Sequence, residues 1–203
     1  MDLGLIPYEQ AYQKQQEAVA SVGHTGKTEL FFCEHPAVIT LGRMSRQEHL
    51  LASEAQLQAR EVGCVAIDRG GDITLHAPGQ LVIYPIVDLK RYKQDLHWYL
   101  HTLEDITCAA LQDFGLSGGR LAGKTGVYTE GRKIASIGIG VRKWIAYHGV
   151  GINVATDLSL FSLIKPCGLD VAMTSMTKEL GRPVDREKVK QSWQKHFQGV
   201  FHG

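Results

Sequence analysis

Arg69-Gly-Gly-Asp-Ile-Thr-Leu-His76-Ala-Pro-Gly-Gln80-Leu-Val-Ile-Tyr-Pro-Ile-Val87 holds two strands and the turns that bound them, and the fold is read outward from it. Gly70 and Gly71 turn the chain, because residues without a Cβ take positive φ at little cost. Ile73 to His76 and Gln80 to Val87 are short apolar runs divided by Ala77-Pro78-Gly79, which predicts two strands and a tight connection. Upstream, Thr28 to Cys33 and Ala37 to Leu41 read as strands around His35-Pro36, and Val62 to Arg69 is a further β-type run. Downstream, Thr125 to Thr129 and Lys133 to Val141 form a hairpin around Glu130-Gly131-Arg132, followed by a strand from Trp144 to Val154. Helices separate these strands. Tyr8 to Val19 carries an apolar face, and Ser53 with Gln56 forms a capping box that opens a short helix to about Glu61. Leu96, Tyr99, Leu100, Leu103, Ile106, Ala110, Leu111 and Phe114 recur at three- and four-residue steps. Asp157 to Ile164 and Asp185 to Val200 complete the set. Strands with a few interspersed helices give an α+β class, a mixed sheet with helices packed on it.

The chain has 203 residues, of which 44% are hydrophobic and 21% charged, enough for one core and one domain over residues 1–203. Twenty-two Lys and Arg against 21 Asp and Glu leave a formal charge of +1, without the basic field of a nonspecific nucleic-acid binder. The longest uncharged run, Ile73 to Val87, is broken by His76, Pro78, Gly79, Gln80 and Pro85, so no segment spans a bilayer. The N-terminus turns polar after Pro7 and carries no secretory pattern. Cys33, Cys64, Cys108 and Cys167 are too scattered for a zinc site or a disulfide framework. Reduced thiols in a cytoplasmic chain, with no metal, are expected.

Three segments could carry chemistry. In Arg69 to Gln80 the glycines admit close backbone approach to a ligand, Arg69 suits an anion and His76 a proton; the alternative, which spacing alone favours, is a tight turn between strands beside a buried, hydrogen-bonded histidine. It is neither a Walker loop nor a dinucleotide fingerprint. Lys133 enters an apolar, glycine-punctuated strand, where burial would lower a lysine pKa; the alternative is a solvated hairpin lysine. Cys167 stands between Pro166 and Gly168, a rigid turn that would display a thiol, the alternative being a thiol buried in the core; Cys33, Cys64 and Cys108 lie inside apolar patterns and read as core.

Together these segments resemble the lipoyl(octanoyl) transferases of lipoate biosynthesis, which pass octanoyl from acyl carrier protein to a target lysine. The matching stretches are His35-Pro-Ala-Val-Ile-Thr-Leu-Gly42, Arg69-Gly-Gly, His76-Ala-Pro-Gly-Gln80, Tyr84-Pro-Ile-Val-Asp-Leu89 and Gly126-Val-Tyr. They continue through Arg132-Lys-Ile-Ala-Ser-Ile-Gly138, His148-Gly-Val-Gly-Ile-Asn153, Pro166-Cys-Gly168 and Thr174-Ser175, in the family's order. Ala77 departs from it, since the family more often has glycine there. The resemblance implies the biotin/lipoate protein ligase-like fold, a mixed sheet flanked by helices. It implies Cys167 as the acyl-thioester nucleophile and Lys133 as its general acid/base partner, 34 positions away. It also implies an acyl site lined by Arg69, Gly70, Gly71, Asp72, Ile73, Thr74, Leu75 and His76, with Ser136, Ile137 and Gly138 and with Gly149, Val150 and Gly151. The implied partners are octanoyl-acyl carrier protein, lipoyl domains of 2-oxoacid dehydrogenase E2 subunits and the glycine cleavage H protein. No cofactor is implied beyond the carrier's phosphopantetheine, and no ATP, unlike the ligases of the same fold. Since acyl carrier proteins are acidic, Arg43 with Arg46, Lys90-Arg91 with Lys93, and Arg142-Lys143 are candidate docking charges or ordinary solvated ones.

Overall fold

The computed structural model describes residues 1–165 and 171–201. Its spine is β6 (Gln80–Asp88), buried along its whole length, as expected of a strand covered on both faces. Around it run β1 (Asp2–Leu5), β2 (Glu29–Glu34), β7 (Gly119–Leu121), β8 (Lys124–Thr129), β9 (Arg132–Arg142) and β10 (Ile145–Asn153). They form one seven-stranded sheet in the order β1-β2-β6-β10-β9-β8-β7, antiparallel except for the β1–β2 pair. Alternation along β6 feeds two cores. Leu81, Ile83 and Val87 pack with Leu103, Ile106 and Ala110 of α3 (Leu96–Gln112) and with Val189, Trp193 and Phe197 of α5 (Arg186–Val200). Val82, Tyr84 and Ile86 pack with Ala11, Ala18, Val19 and Val22 of α1 (Tyr8–Thr25).

A second sheet, β4-β3-β5, is built from β3 (Val38–Leu41), β4 (Gly63–Ala66) and β5 (Ile73–His76). Its own core joins Ile39 and Leu75 to Leu57 of α2 (Glu54–Ala59), Phe161 and Leu163. Since β5 runs into β6 through Ala77 to Gly79, the two sheets are joined at the segment from which the fold was read. Ala77 is buried with φ outside the positive region, so its methyl replaces the family's glycine without strain.

The capping box is formed: Ser53 Oγ accepts from Gln56 N at 3.4 Å, and Ser53 N donates to Gln56 Oε1 at 2.8 Å. Other boundaries move. α1 continues past Val19 because Val22 extends its buried face, and it stops at Gly26 in the left-handed region. Asp157 to Ile164 holds a 3-10 turn, Leu158–Leu163, rather than an α-helix, and the run expected from Val62 to Arg69 is strand only over β4. Strands β1 and β7 and the five-residue α4 (Met176–Leu180) carry no periodic signal at their lengths. Of the cysteines read as core, Cys33 is buried, Cys108 is half-buried and Cys64 is exposed on β4. The correction at Cys64 follows from its place on an edge strand, where the apolar pattern does not mark a covered face.

One irregularity shapes the centre of the large sheet. Pro85 sits in β6 and lacks an N–H, and the β6–β10 partners run to Ala146 and resume at Val150, skipping Tyr147 to Gly149. There His148 takes φ of 60°, and its backbone N–H donates instead to Gln15 Oε1 of α1 at 2.9 Å. A Cβ on Gly149 would meet Ile83 O at 2.2 Å, so the backbones close around the break only because position 149 has no side chain.

Candidate active site

A cavity of 610 Å³ opens between the two sheets. Every residue expected from the motifs lines it except Leu75: Arg69 to Thr74 and His76 from the small-sheet side, Ser136 to Gly138 of β9, and Gly149 to Gly151 of β10. Leu75 is fully buried in the small sheet's core; Ile73 packs in the same core and still reaches the cavity. Lys133 also lines the cavity and is buried. Exposed Met44 and Arg46 mark the mouth, while Tyr8, Val82, Tyr84 and His148 are buried at the inner end. Tyr8, His49, Tyr84 and His148 were absent from the expected lining. They come from four separate segments, and of them Tyr84 and His148 stand in stretches quoted above while Tyr8 and His49 do not.

Lys133 is positioned from two sides. Its backbone N donates to Ala172 O at 2.8 Å and its O accepts from Thr174 N at 2.9 Å, a single parallel bridge opposite Met173. Across β8, a Cβ on Gly126 would lie 2.7 Å from Lys133 Cε, and Gly126 has φ of 122°, so glycine both turns the strand and clears the lysine's stem. Gly126 N donates at 3.0 Å to Glu104 Oε1, a buried carboxylate on α3 that also accepts from Arg120 Nε at 2.8 Å. Lys133 Nζ stands 5.8 Å from the Tyr128 ring centroid.

Arg69 is turned inward. It donates to Thr40 O at 2.9 Å, Thr40 Oγ1 at 3.1 Å and Gly70 O at 3.0 Å, tying the glycine turn to β3. Gly70 N reaches Ile139 O of β9 at 2.8 Å, which fixes one cavity wall against the other. Asp72 Oδ2 lies 2.5 Å from His49 Nδ1. His76 Nδ1 donates to Gln80 Oε1 at 2.6 Å, and Gln80 Nε2 donates to Asn153 Oδ1 at 2.9 Å, which orients the amide and leaves His76 Nε2 as an acceptor. A Cβ on Gly151 would come within 2.9 Å of Gln80 Oε1, so a bare backbone is needed there too.

The inner wall is aromatic, with its polar atoms satisfied among themselves. His148 Nε2 lies 2.8 Å from Asp68 Oδ1 and its Nδ1 3.4 Å from Tyr8 Oη, while Tyr84 Oη lies 2.8 Å from His35 Nε2. His35 Nδ1 donates to Ile6 O at 2.7 Å, so its Nε2 accepts from Tyr84. Hydrogen bonds from His148 above all, and from Tyr147 and Tyr12, hold the Asp68 carboxyl well below the usual range. Burial pushes the His35 and His148 imidazoles down and takes His76 to about 3, so all three are neutral at pH 7. Tyr8, Tyr84 and His148, neutral and internally bonded, give the cavity a wall compatible with an acyl chain.

A family model described as the lipoyl protein ligase A/B catalytic domain matches residues 7–198. The chain belongs to that family. An octanoyltransferase of Syntrophotalea carbinolica is 45% identical over 202 residues, covering 98% of this chain and 92% of that one. An octanoyltransferase of Thermosynechococcus vestitus is 41% identical over 201 residues, covering 98% and 88%. Among solved structures, lipoate-protein ligase A bound with ATP superposes with a TM-score of 0.80 at 18% identity, covering 100% of this chain and 86% of that one. A bipartite lipoate protein ligase from Thermoplasma acidophilum gives 0.80 at 16% identity, covering 99% and 82%. These two carry the fold alone, and they bear out the mixed sheet flanked by helices. The kinship with octanoyltransferases bears out the resemblance read from the motifs and the reading of the protein as an acyl-transferring enzyme.

Cys167, the nucleophile that the family resemblance implies, lies outside the described residues, as do Pro166 and Gly168. The segments on either side are held at the cavity: Lys165 N donates to His49 O at 2.7 Å, and Ala172 O accepts from Lys133 N. Of the basic clusters, Arg46 alone reaches the lining, joined there by Lys124. Lys90 and Lys93 face Asp88 and Asp95 at 3.7 and 3.1 Å, and Arg91 donates to Gly26 O. Among the described residues no His, Cys, Asp and Glu cluster suits a metal ion, and no helix is long and apolar enough to cross a membrane.

Proposed function

We propose that the protein, as one catalytic domain over residues 1–203, moves octanoyl from acyl carrier protein through a Cys167 thioester to the ε-amine of a lysine on lipoyl-domain proteins. The single observation behind this reading is the buried lysine of β9, which lines the largely apolar cavity and bridges to Met173, six residues beyond Cys167. Free cysteine titrates near 8.5, and a neighbouring ammonium favours its thiolate. In the first step Lys133 takes the Cys167 proton, and the thiolate attacks the donor's thioester carbonyl. The Cys167 S–C bond forms, the carrier's C–S bond breaks, and Lys133 returns the proton to the departing phosphopantetheine thiol. In the second step the acceptor amine attacks the Cys167 thioester: the amide C–N bond forms, the Cys167 S–C bond breaks, and the amine's proton passes through Lys133 to the departing Cys167 thiolate. One thioester exchanges for another, and amide formation from a thioester runs downhill, so no ATP is required.

The donor arm enters past Met44, Arg46 and Lys124, the last two suited to the anionic carrier and its phosphodiester, while the alkyl chain lies between Gly149 to Gly151 and β5 toward the ring wall. Lipoyl domains of 2-oxoacid dehydrogenase E2 subunits and the glycine cleavage H protein are the acceptors, in the cytoplasm. Octanoyl-carrier protein is to be mixed with the wild type and with Cys167→Ala and followed by intact mass. An octanoyl adduct on the wild type, absent from Cys167→Ala, is expected. Transfer without an adduct, or octanoyl-adenylate formed from free octanoate and ATP, refutes the thioester reading in favour of an ATP-driven ligase.

A further inference from the structure

The bridge that carries Lys133 is one residue pair long, and an isolated pairing of that size is marginal in water. Something else must hold it. Arg132, next to Lys133, donates through Nε to Glu179 Oε1 at 2.9 Å and through its terminal nitrogen to Glu179 Oε2 at 2.7 Å, a bidentate fork. The same Glu179 carboxylate accepts from Thr174 Oγ1, and Thr174 N donates to Lys133 O. Thr174 is fully buried, and only a tenth of the Glu179 side chain is exposed. One carboxylate therefore grips both backbone stretches that bracket the lysine.

Thr174 is also where the cavity wall meets that grip. Its carbonyl accepts from Asn153 Nδ2 at 3.0 Å, Asn153 accepts from Gln80, and Gln80 accepts from His76. Glu179 itself rides on α4, whose first turn is capped by Ser175 Oγ accepting from Lys178 N at 3.3 Å. Glu179 is not among the described residues that line the cavity, so any effect it has on the lysine passes through Arg132 and Thr174.

We propose that Glu179 is a positioning residue for Lys133: through Arg132 and Thr174 it fixes where the lysine amine stands at the acyl site. This rests on the acid–base role given to Lys133 above. A carboxylate that merely braced α4 would affect stability and leave turnover per folded molecule unchanged. A positioning carboxylate governs the chemical step and leaves donor binding alone, since displacing a catalytic group by about 1 Å costs up to about a hundredfold in rate.

The test measures kcat and KM for octanoyl-carrier protein, with thermal unfolding alongside, in Glu179→Gln, Thr174→Val, Thr174→Ser and the exchanged pair Arg132→Glu with Glu179→Arg. Glu179→Gln and Thr174→Val should lower kcat about tenfold or more at nearly unchanged KM, while Thr174→Ser, which keeps the hydroxyl, stays near wild type. The exchanged pair should stay as low as Glu179→Gln, because an arginine at 179 cannot accept from Thr174 and a glutamate at 132 would face Glu130. Thr174→Val removes one hydroxyl and leaves the Arg132–Glu179 fork, so it carries the test if the Glu179 variants do not fold. A folded Thr174→Val with wild-type kcat, or a loss confined to KM, overturns the proposal. A wild type that forms no octanoyl adduct overturns the acyl-transfer reading, whereas a normal adduct with unaffected variants overturns the positioning role alone.

Discussion

Acidification should unfold this protein through its buried histidines. His76 is 8% exposed, and burial takes its pKa from 6.5 down to about 3. Its folded pKa thus lies below the unfolded one. Between about pH 6.5 and 3 the unfolded chain binds a proton that the folded chain refuses, so stability is complete above 6.5 and is lost as the pH falls. At pH 4.5, two units below the unfolded value, the loss through His76 alone is about 2.7 kcal/mol at about 1.36 kcal/mol per unit. His35 and His148 are also pushed down by burial and steepen the same slope. Against a usual total of about 5–15 kcal/mol, this is a large share. Urea unfolding at pH 7.5, 5.5 and 4.5 on the wild type and on His76→Gln measures it, because the glutamine cannot titrate. The wild-type curve should fall more steeply, the two converging by about 2.7 kcal/mol at pH 4.5 whatever their offset at pH 7.5. Parallel curves would refute the reasoning and mean that His76 titrates as a hydrated imidazole.

Lys133→Met should leave the fold in place and lower octanoyl transfer by about a hundredfold or more, as expected for loss of a general acid–base group, measured by single-turnover transfer to a lipoyl domain. Gly126→Ala should destabilise by about 1–3 kcal/mol and slow transfer, since its methyl meets both Ala135 O and the Lys133 stem at positive φ; chemical denaturation and a rate assay check the two effects. Glu104→Ala should cost about 2 kcal/mol in the same denaturation assay by stranding the buried Gly126 N–H. A hexanoyl donor should be used about fifteenfold less well than octanoyl in kcat/KM, from two methylenes at about 0.8 kcal/mol each.

Much of the architecture was legible because its signals are local. The alternation and turns of residues 69–87, the three- and four-residue recurrence of α3 and the Ser53 capping box each act within a few residues, and each is formed. The pairing of residue 133 with residues 172–174 is not local. It depends on one bridge between chain stretches about 40 positions apart, which no periodicity records. Leu75 stands apart from the lining because a motif names a run of residues, whereas the fold buries that one side chain in the small sheet's core. The aromatic wall is likewise not local: Tyr8, Tyr84 and His148 stand far apart in sequence, and only the fold brings them together, with His35 and Asp68 behind them holding Tyr84 and His148.

Pro85 gives the N-terminal helix a part in assembling the sheet. A complete central ladder would close on its own, but this one leaves the His148 N–H for Gln15, more than 130 residues earlier in the chain. The floor of the cleft therefore reaches its final geometry only when the first segment of the chain docks onto the later strands. A change at Gln15, which does not line the cavity, would thus reach the His148 and Gly149 backbone of its wall.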